Sequence, residues 1–290
     1  MNILIGKTKF EWGARTYIMG IINATPDSFS GDGLMLQGKD WIASAVLQGV
    51  KQASDGADIL DVGGESTRPG SAPVSLEEEL GRVIPVIERL ARKVPIPISI
   101  DTYKSEVARQ AIRAGASMVN DVRALQMDPL IANVAAEYKV PLILMHNRNT
   151  PKDAVQREKL GARYIGVEYS DLLLDIKRGL EESVGQALKA GVPRELIIVD
   201  PGIGFGKTVE QNLELIYRLG ELKTLGLPLL VGPSRKSFIG YTLDLPRDER
   251  LEGTAAAVTL CIERGADIIR VHDVKAMRRA AKLTDSIARR

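Results

Sequence analysis

Polar and ionisable side chains stand directly after short apolar runs at many places along the chain. In "PLLVGPSRKSF" (residues 228–238), an apolar run and a Gly-Pro stop lead into Ser234, Arg235, Lys236 and Ser237. Free backbone N–H groups at the start of a helix bind anions, and so do arginine and lysine side chains. This stretch therefore predicts a helix with Ser234 as its N-cap and an anion site at that helix start.

The same change from apolar to polar recurs at the ends of the other apolar runs. The polar residues at these ends are Asn23, Asp61, Asp101, Asn120, Asp121, His146, Asp200, Arg270 and His272. For any one of them, a helix N-cap or a satisfied core polar group is an adequate explanation, and for Asp61 and Asp121 it is the favoured one. It does not explain the whole set, because gathering ionisable groups costs desolvation that folding alone does not require. The set therefore indicates an active site.

Metal-binding and redox residues are scarce. His146 and His272 are the two histidines of the chain, and no third ligand with suitable spacing accompanies them, so a zinc hydrolase is not expected. Cys261 is the single cysteine, which excludes an internal disulfide and a thiolate-rich metal cluster. In its apolar stretch we expect a buried and inert thiol.

The elements that must position these residues are short apolar runs that alternate with longer amphipathic ones. The runs predicted as strands are residues 17–23, 58–64, 96–101, 117–121, 140–146, 196–202, 228–232 and 267–273. Residues 75–93 carry apolar side chains at helical spacing, and Ser75 with Glu78 predicts a capping box at the start of that helix. The glycines predicted as helix C-caps are Gly56, Gly115 and Gly265.

Eight such strand–helix units follow one another without a linker, a charge block or a low-complexity segment. This organisation predicts one domain over residues 1–290, a single (β/α)8 barrel of the α/β class. A doubly wound open sheet is the structural alternative, which the count of eight and the lack of a Gly-rich fingerprint after the first strand disfavour. In such a barrel the carboxyl ends of the strands carry the active site. The polar residues that end the runs are therefore expected to gather there.

The overall composition narrows the class of function. Lys and Arg total 39 against 37 Asp and Glu, so net charge gives no general affinity for nucleic acid or membranes. The first residues, "MNILIGKTKFEWG", lack the pattern of a signal peptide, and no apolar stretch reaches the roughly 18 residues that span a bilayer. We expect a cytoplasmic enzyme or binding protein without nucleic-acid or membrane partners.

Two long loops follow the first two predicted strands. Residues 23–33 and 63–73 are rich in Gly, Pro, Ser and Thr. A surface turn could have that composition, but it would not need Phe29, or Arg68 beside Pro69. Long loops that carry such groups are typical of lids that exclude water from a reaction.

Seven segments of the chain, in order and at sensible spacings, resemble the signatures of one family. They are "INATPDSFSGDG", "DVGGESTRPGS", "ISIDTYKSEVARQAIRAGASMVNDV", "LMHN", "DPGIGFGKT", "VGPSRKSFIG" and "IIRVHDV". On these segments the chain resembles the dihydropteroate synthases from about Tyr17 to Val274. One departure is "SGDG", around Asp32, where the family has Ser-Asp-Gly-Gly.

The resemblance implies an alkyl-transfer reaction of folate biosynthesis, the step that sulfonamides inhibit. 6-Hydroxymethyl-7,8-dihydropterin pyrophosphate and p-aminobenzoate would give 7,8-dihydropteroate and pyrophosphate, with Mg²⁺ assisting. The implied mechanism is dissociative, so the site stabilises the leaving group and the cation left on the exocyclic methylene while it excludes water. A homodimer is also implied.

The resemblance further implies a role for each matching residue. The implied pterin-binding residues are Asp101, Asn120, Met145, Asp200, Phe205, Gly232 and Lys236. The implied p-aminobenzoate-binding residues are Phe29, Thr67, Pro69, Lys236 and Ser237. The implied pyrophosphate-binding residues are Asn23, Arg68, Arg270 and His272, and Asn23 is also the implied Mg²⁺ ligand. The implied catalytic residues are Lys236, Arg270 and Asp101.

Two other functions remain open from the sequence. A methyltetrahydrofolate–corrinoid methyltransferase uses a similar pterin-binding barrel, but it has no use for "TPDSFS", "STRPG" and "SRKS" together. A non-catalytic pterin-binding barrel is the second alternative. The intact set of anion-binding residues argues against it: Asn23, Arg68, Lys236, Arg270 and His272.

Overall fold

The structure is a computed structural model that describes residues 2–24, 41–66, 73–148, 154–157, 159–165 and 168–289. The predicted site residues that lie outside these ranges are Phe29, Thr67, Arg68 and Pro69. Most of the two segments predicted as lids lies outside them as well.

Parallel strands form the central sheet of the described part of the chain. The strands in chain order are β1 (Asn2–Ile5), β2 (Thr8–Glu11), β3 (Tyr17–Asn23), β4 (Ile59–Gly63), β5 (Ile98–Asp101), β6 (Met118–Asp121), β7 (Leu142–Met145), β8 (Ala154–Arg157), β9 (Gly161–Tyr164), β10 (Ile197–Asp200), β11 (Leu230–Val231) and β12 (Ile268–Val271). Eight of them are hydrogen-bonded in the order β10-β7-β6-β5-β4-β3-β12-β11. A parallel bridge between Val199 and Leu229 joins the two ends, so the sheet closes into a barrel. The eight predicted strands and the barrel are confirmed, and the open doubly wound alternative is excluded.

The amino-terminal end of the barrel is filled by apolar side chains. Side chains alternate between the two faces of a strand, so every second residue points into the barrel. The inward residues of this layer include Met19, Ile59, Met118, Ile143, Ile198, Leu230 and Ile268. The antiparallel hairpin of β1 and β2, which the sequence patterns did not predict, adds Ile3, Ile5 and Phe10 to the same buried cluster. The hairpin therefore covers this end of the barrel.

Helices surround the barrel on the outside. They are α1 (Trp41–Ser54), α2 (Leu76–Ala91), α3 (Ser105–Ala114), α4 (Leu130–Tyr138), α5 (Leu172–Lys189), α6 (Val209–Tyr217), α7 (Ser237–Leu243), α8 (Leu251–Glu263) and α9 (Val274–Ala288). Outward strand residues such as Leu60 and Val119 pack with helix residues such as Val83 and Ile87 in the main hydrophobic cluster. Within the described ranges, none of these helices combines the length and apolar character needed to cross a membrane.

Helix ends follow the sequence signals in most places. Ser75 Oγ accepts a hydrogen bond from Glu78 N at 3.1 Å, but the Glu78 carboxylate pairs with Arg82, so the predicted capping box forms only in its Ser75 half. An arginine one turn along the helix offers a charge-assisted bond that competes with the cap. The predicted C-cap glycines all have left-handed φ angles, between +94° and +118°: Gly56, Gly115 and Gly265.

A second unpredicted hairpin, β8 and β9, lies in the connection from β7 to α5. Its turn packs on α7, where Tyr241 Oη donates a hydrogen bond to Gly161 O at 3.1 Å. The buried Arg250 guanidinium donates to Leu160 O in the same turn and to Arg235 O. The hairpin thus supports the connection from β11 to α7, which contains the "SRKS" segment.

Candidate active site

The carboxyl ends of the strands bring the predicted polar residues into one layer. Asp101 is in register with Asn120 on β6, and Asp200 is in register with Met145 on β7. Because all eight strands are parallel, these inward positions face one another across the barrel. The apolar layer lies beneath them, so the polar side chains meet above a dry core.

One cavity opens at this layer. Its lining residues are Asp101, Asn120, Val122, Met145, Asp200, Ile203, Phe205, Gly232, Lys236 and Arg270. The structure therefore brings together all seven residues that the resemblance assigns to the pterin. Val122 and Ile203 are additional lining residues, and no pattern in the sequence singled them out. Val122 comes one position after the end of β6 and Ile203 three positions after the end of β10, and both contribute apolar surface.

The floor of the cavity is a buried ion cluster. Arg270 Nε lies 2.6 Å from Asp61 Oδ2, and Arg270 Nη2 lies 2.7 Å from Asp101 Oδ2. Asn120 Nδ2 donates to the same Asp61 oxygen at 3.0 Å. Asp61 is completely buried. The sequence favoured a core polar role for Asp61, and the structure makes this residue part of the site because it holds both Arg270 and Asn120.

Burial shifts the acid–base behaviour of the cavity carboxylates. It raises the pKa of Asp101 to about 7, although Arg270 opposes the shift. It also raises the pKa of Asp200 to about 6, against a hydrogen bond from Gly202 N and the charges of Lys236 and Lys207. Such pKa values are typical of functional sites, because burying a carboxylate costs desolvation energy that a purely structural role rarely requires.

Lys236 and Phe205 form one wall of the cavity. Lys236 Nζ lies 3.9 Å from the centroid of the Phe205 ring, at cation–π distance. Gly204, with φ of +79°, passes so close that a Cβ atom there would lie 2.8 Å from Lys236 Cδ. Ser237 is the first residue of α7, directly after Lys236. The structure therefore places Ser237 next to the cavity wall.

Arg235 and Ser234 have partners that the sequence did not reveal. The Arg235 guanidinium binds both carboxylate oxygens of Asp273, at 2.9 and 2.7 Å, so this residue ties the connection after β11 to the start of α9. The sequence predicted Ser234 as the N-cap of α7. This prediction is wrong, because the N-cap of α7 is Lys236. The Ser234 hydroxyl instead lies 3.0 Å from His272 Nδ1 and accepts from His272 N at 3.2 Å.

His272 lies among cations. Arg247 Nη2 is 3.5 Å from His272 Nε2. Burial lowers the pKa of His272 well below its usual value, and the charges of Arg247, Arg270 and Arg235 lower it further. Asn23 is the last residue of β3, the strand that pairs with β12. Arg270 on β12, His272 directly after it and Asn23 on β3 thus lie at neighbouring strand ends, where positive charge favours an anion.

The residues near Asn23 limit which metal ion could bind at this end of the barrel. Within the described ranges, no group of three or more His, Cys, Asp or Glu side chains could hold a metal ion. Asn23 offers a single amide oxygen, a hard donor of the kind Mg²⁺ prefers. This set fits Mg²⁺ only when an anionic ligand supplies further oxygens, and the neighbouring cations favour such a ligand.

The chain matches a protein family over most of its length. The sequence profile described as "Pterin binding enzyme" matches residues 19–272. A dihydropteroate synthase of Clostridium beijerinckii is 51% identical over 288 residues, which is 99% of this chain and 99% of that protein. The chain belongs to the dihydropteroate synthases, in the pterin-binding enzyme family. The predicted family is thereby confirmed.

Other members of the family are similar in sequence and in structure. The dihydropteroate synthase of Synechocystis is 49% identical over 98% of this chain and 94% of its own length. The structure of a Clostridium difficile member solved in the presence of pteroic acid has a TM-score of 0.87 at 46% identity, covering 97% of this chain and 100% of that one. A Xanthomonas albilineans member in complex with 7,8-dihydropteroate has a TM-score of 0.85 at 37% identity, covering 99% of this chain and 98% of that one. These matches favour the synthase over the methyltransferase alternative.

Proposed function

We propose that this chain condenses 6-hydroxymethyl-7,8-dihydropterin pyrophosphate with p-aminobenzoate to form 7,8-dihydropteroate and pyrophosphate. The observation that carries the proposal is the cavity lined by two carboxylates, an amide, a thioether, an aromatic ring and two cations. A flat heterocycle with N–H donors on its edge complements such a lining. Membership of the dihydropteroate synthases supports the same reaction.

The pterin would lie between the acceptors and the apolar wall of the cavity. Asp101 and Asp200 accept hydrogen bonds from its ring N–H groups, and the Asn120 amide completes the polar edge. Met145 and Phe205 flank the flat ring. Lys236 donates to the pterin from above Phe205, while its alkyl stem faces the second substrate.

The pyrophosphate would lie above Arg270 and His272. Arg270 uses Nε and Nη2 to hold Asp61 and Asp101, so Nη1 remains for a phosphate oxygen. Asn23 would hold Mg²⁺ together with pyrophosphate oxygens, and when bound Mg²⁺ supplies positive charge to the leaving group. Arg68, outside the described residues, is the further cation that the family implies.

The bonds, electrons and protons of the proposed reaction are all accounted for by the two substrates. The bond from the exocyclic methylene to oxygen breaks, and pyrophosphate leaves with the electron pair. The p-aminobenzoate nitrogen then forms a bond to the methylene and loses a proton, which the released pyrophosphate can accept. The Ser237 hydroxyl and nearby backbone would hold the p-aminobenzoate carboxylate, and Phe29, Thr67 and Pro69 would complete its pocket.

The direct test supplies both substrates and Mg²⁺ to the folded protein. We expect 7,8-dihydropteroate and pyrophosphate to accumulate in equal amounts. Pterin binding without product from folded protein would support the non-catalytic alternative. The absence of both pterin binding and product would overturn the proposed function.

We also propose that the chain forms a homodimer through α6, α7 and α8. These neighbouring helices carry large exposed apolar side chains: Leu213, Tyr217, Leu243, Leu251 and Leu260. Tyr217 is 74% exposed, and exposed apolar surface of this kind is typical of subunit interfaces. Light scattering should give twice the chain mass, and Tyr217→Asp should shift the protein towards monomer.

We further propose the cytoplasm as its compartment. The one cysteine, Cys261, is free and buried, and burial raises its pKa to about 12. A fold held without any disulfide needs no oxidising compartment. Fractionation of the source cells should recover the protein with cytoplasmic markers.

A further inference from the structure

Lys207 is a buried ammonium that neither the sequence patterns nor the mechanism accounts for. It lies in "DPGIGFGKT", after β10, and only 1% of its surface is exposed. Its Nζ atom donates to Gly202 O and Phe205 O, both at 3.0 Å, and lies 3.3 Å from His146 Nδ1. Within the described ranges, no carboxylate is among these partners. Burying a lysine without an acid is costly, so a folding role alone is a poor explanation.

Three acceptors surround the three N–H bonds of Lys207. His146 serves as one of them because its ring is neutral: burial and the charges of Lys207 and Arg148 lower its pKa to about 2. Its ring proton is then assigned to Nε2, which leaves Nδ1 as the acceptor. The ammonium therefore fixes the two carbonyl groups of the β10–α6 connection in definite positions.

Those two carbonyl groups belong to the residues that set the shape of the cavity. Gly202 N donates to Asp200 Oδ1 at 2.7 Å, so Lys207, Gly202 and Asp200 form a continuous chain of hydrogen bonds. Phe205, whose carbonyl oxygen Lys207 holds, lines the cavity. Gly202, with φ of +71°, passes so close to His146 O that a Cβ atom at this position would clash with that oxygen, so a side chain here would displace the connection.

We propose that Lys207 is a positioning residue for pterin binding, which acts through the Asp200 carboxylate and the Phe205 ring. The inference rests on the proposed function and names a residue that is not among those lining the cavity. Its charge also supports the role. Lys207 lowers the pKa of Asp200, as do Lys236 and Arg270. Asp200 in turn raises the pKa of Lys207, which burial, Arg148 and Lys236 bring down to about 7.

The test compares Lys207→Met with Tyr169→Phe. The methionine variant removes the charge and all three N–H bonds at similar length. Tyr169 Oη donates to Gly206 O at 2.9 Å, so Tyr169→Phe removes a neutral hydrogen bond from the same connection. Lys189→Met, an exposed lysine on α5, is the control for the substitution itself.

Two measurements are made on each protein. Calorimetry gives the affinity for 6-hydroxymethyl-7,8-dihydropterin at pH 6.5, which lies above the Asp200 pKa of about 6 and below the Lys207 pKa of about 7. Carboxyl ¹³C NMR gives the pKa of Asp200, whose signal is assigned by its loss in Asp200→Asn. We expect Lys207→Met to bind the pterin about tenfold or more weakly and to have a higher Asp200 pKa. Tyr169→Phe should leave the Asp200 pKa unchanged, and Lys189→Met should match the unsubstituted protein in both measurements. If Lys207→Met does not fold, Lys207→Gln, which keeps two N–H donors without the charge, undergoes the same comparison.

Pterin affinity within twofold of the unsubstituted protein and an unchanged Asp200 pKa would overturn the inference. So would equal changes in Lys207→Met and Tyr169→Phe, because Lys207 would then only stabilise the connection. If the unsubstituted protein itself does not bind the pterin, the proposed function fails, whatever the variants do. The two failures are therefore distinguishable.

Discussion

Arg270 shows how single residues from distant parts of the chain make the site. It meets Asp61, 209 positions away, and Asp101, 169 positions away, at the floor of the cavity. One cation thus serves two buried carboxylates, an arrangement that costs desolvation and leaves the pKa of Asp101 at about 7. The barrel keeps this arrangement where a ligand can use it.

We predict that Asp61→Asn shifts the loss of pterin affinity at acid pH, the acid limb of the pH profile, to lower pH. Burial raises the pKa of Asp101, and like-charge repulsion from Asp61 raises it further. Without Asp61, the Asp101 pKa should fall by about one unit. Binding that requires ionised Asp101 is lost as pH falls through that pKa, so the variant should keep its affinity to lower pH. Calorimetric titrations from pH 5 to 8 measure the shift.

The control for Asp61→Asn is Glu88→Gln, which neutralises an exposed carboxylate on α2. Its pH profile should overlay that of the unsubstituted protein. An acid limb that stays in place in Asp61→Asn, or moves to higher pH, would contradict the argument.

The types of residue at the strand ends were enough to predict where the site lies, but not which residues pair with one another in it. The polar strand ends could be recognised because they interrupt apolar runs. The partners of Asp61, Ser234 and Arg235 could not, because they lie 209, 38 and 38 positions away. The N-cap prediction for Ser234 was wrong for this reason: a local signal was replaced by a tertiary contact.

At the scale of elements, Lys104 joins the two ends of the connection between β4 and α2. Its Nζ atom binds Glu65 Oε2 at 2.7 Å on one side and Val74 O at 2.8 Å on the other. It also pairs with Glu79 on α2, a carboxylate that is only 1% exposed. Lys104 itself follows β5, so one side chain fixes three elements beside the site.

We predict that Lys104→Met lowers the free energy of unfolding by about 3 kcal/mol, because it leaves the buried Glu79 carboxylate without its cation. Urea denaturation measures the change. The double variant Lys104→Met/Glu79→Gln removes the orphaned charge and should recover part of the loss. A loss below about 1 kcal/mol in the single variant would mean that Lys104 acts as an ordinary surface ion pair.

Elements could be predicted where the hydrophobic pattern is strong. Each barrel strand is a short apolar run between turn residues, and the structure places all eight within the predicted runs. The two hairpins were missed because their four-residue strands mix polar and apolar side chains, whereas the barrel strands lie in nearly continuous apolar runs. What the sequence could not provide was the side on which each hairpin packs, since that depends on distant partners.

In the molecule as a whole, the residues that stabilise the fold and the residues that line the candidate site lie at opposite ends of the barrel. The amino-terminal end is an apolar layer covered by a hairpin, and the carboxyl end holds the polar cavity. Conservative changes at the first end should therefore alter folding and leave the ligand site intact.

We predict that Phe10→Ala lowers the free energy of unfolding by about 3–5 kcal/mol, because Phe10 is completely buried and its removal leaves a cavity. Pterin affinity measured well below the unfolding temperature should remain within about twofold of the original. Val155→Ala, at an exposed apolar residue of the other hairpin, is the surface control and should change stability little. A large loss of pterin affinity in folded Phe10→Ala would show that the two ends are coupled.

The closure of the barrel between β10 and β11 has a consequence for its slow motions. β11 comprises two residues, and its link to β10 is the Val199–Leu229 bridge, with Val199 N donating to Pro228 O at 3.0 Å. Local opening is easiest where the fewest bonds must break together, so the Val199 amide should exchange with deuterium sooner than the amides of β4. Asp200 and Lys236 stand on opposite sides of this seam, and a pterin held by both would bridge it. Binding of the pterin should therefore slow deuterium uptake at Val199 more than in β4.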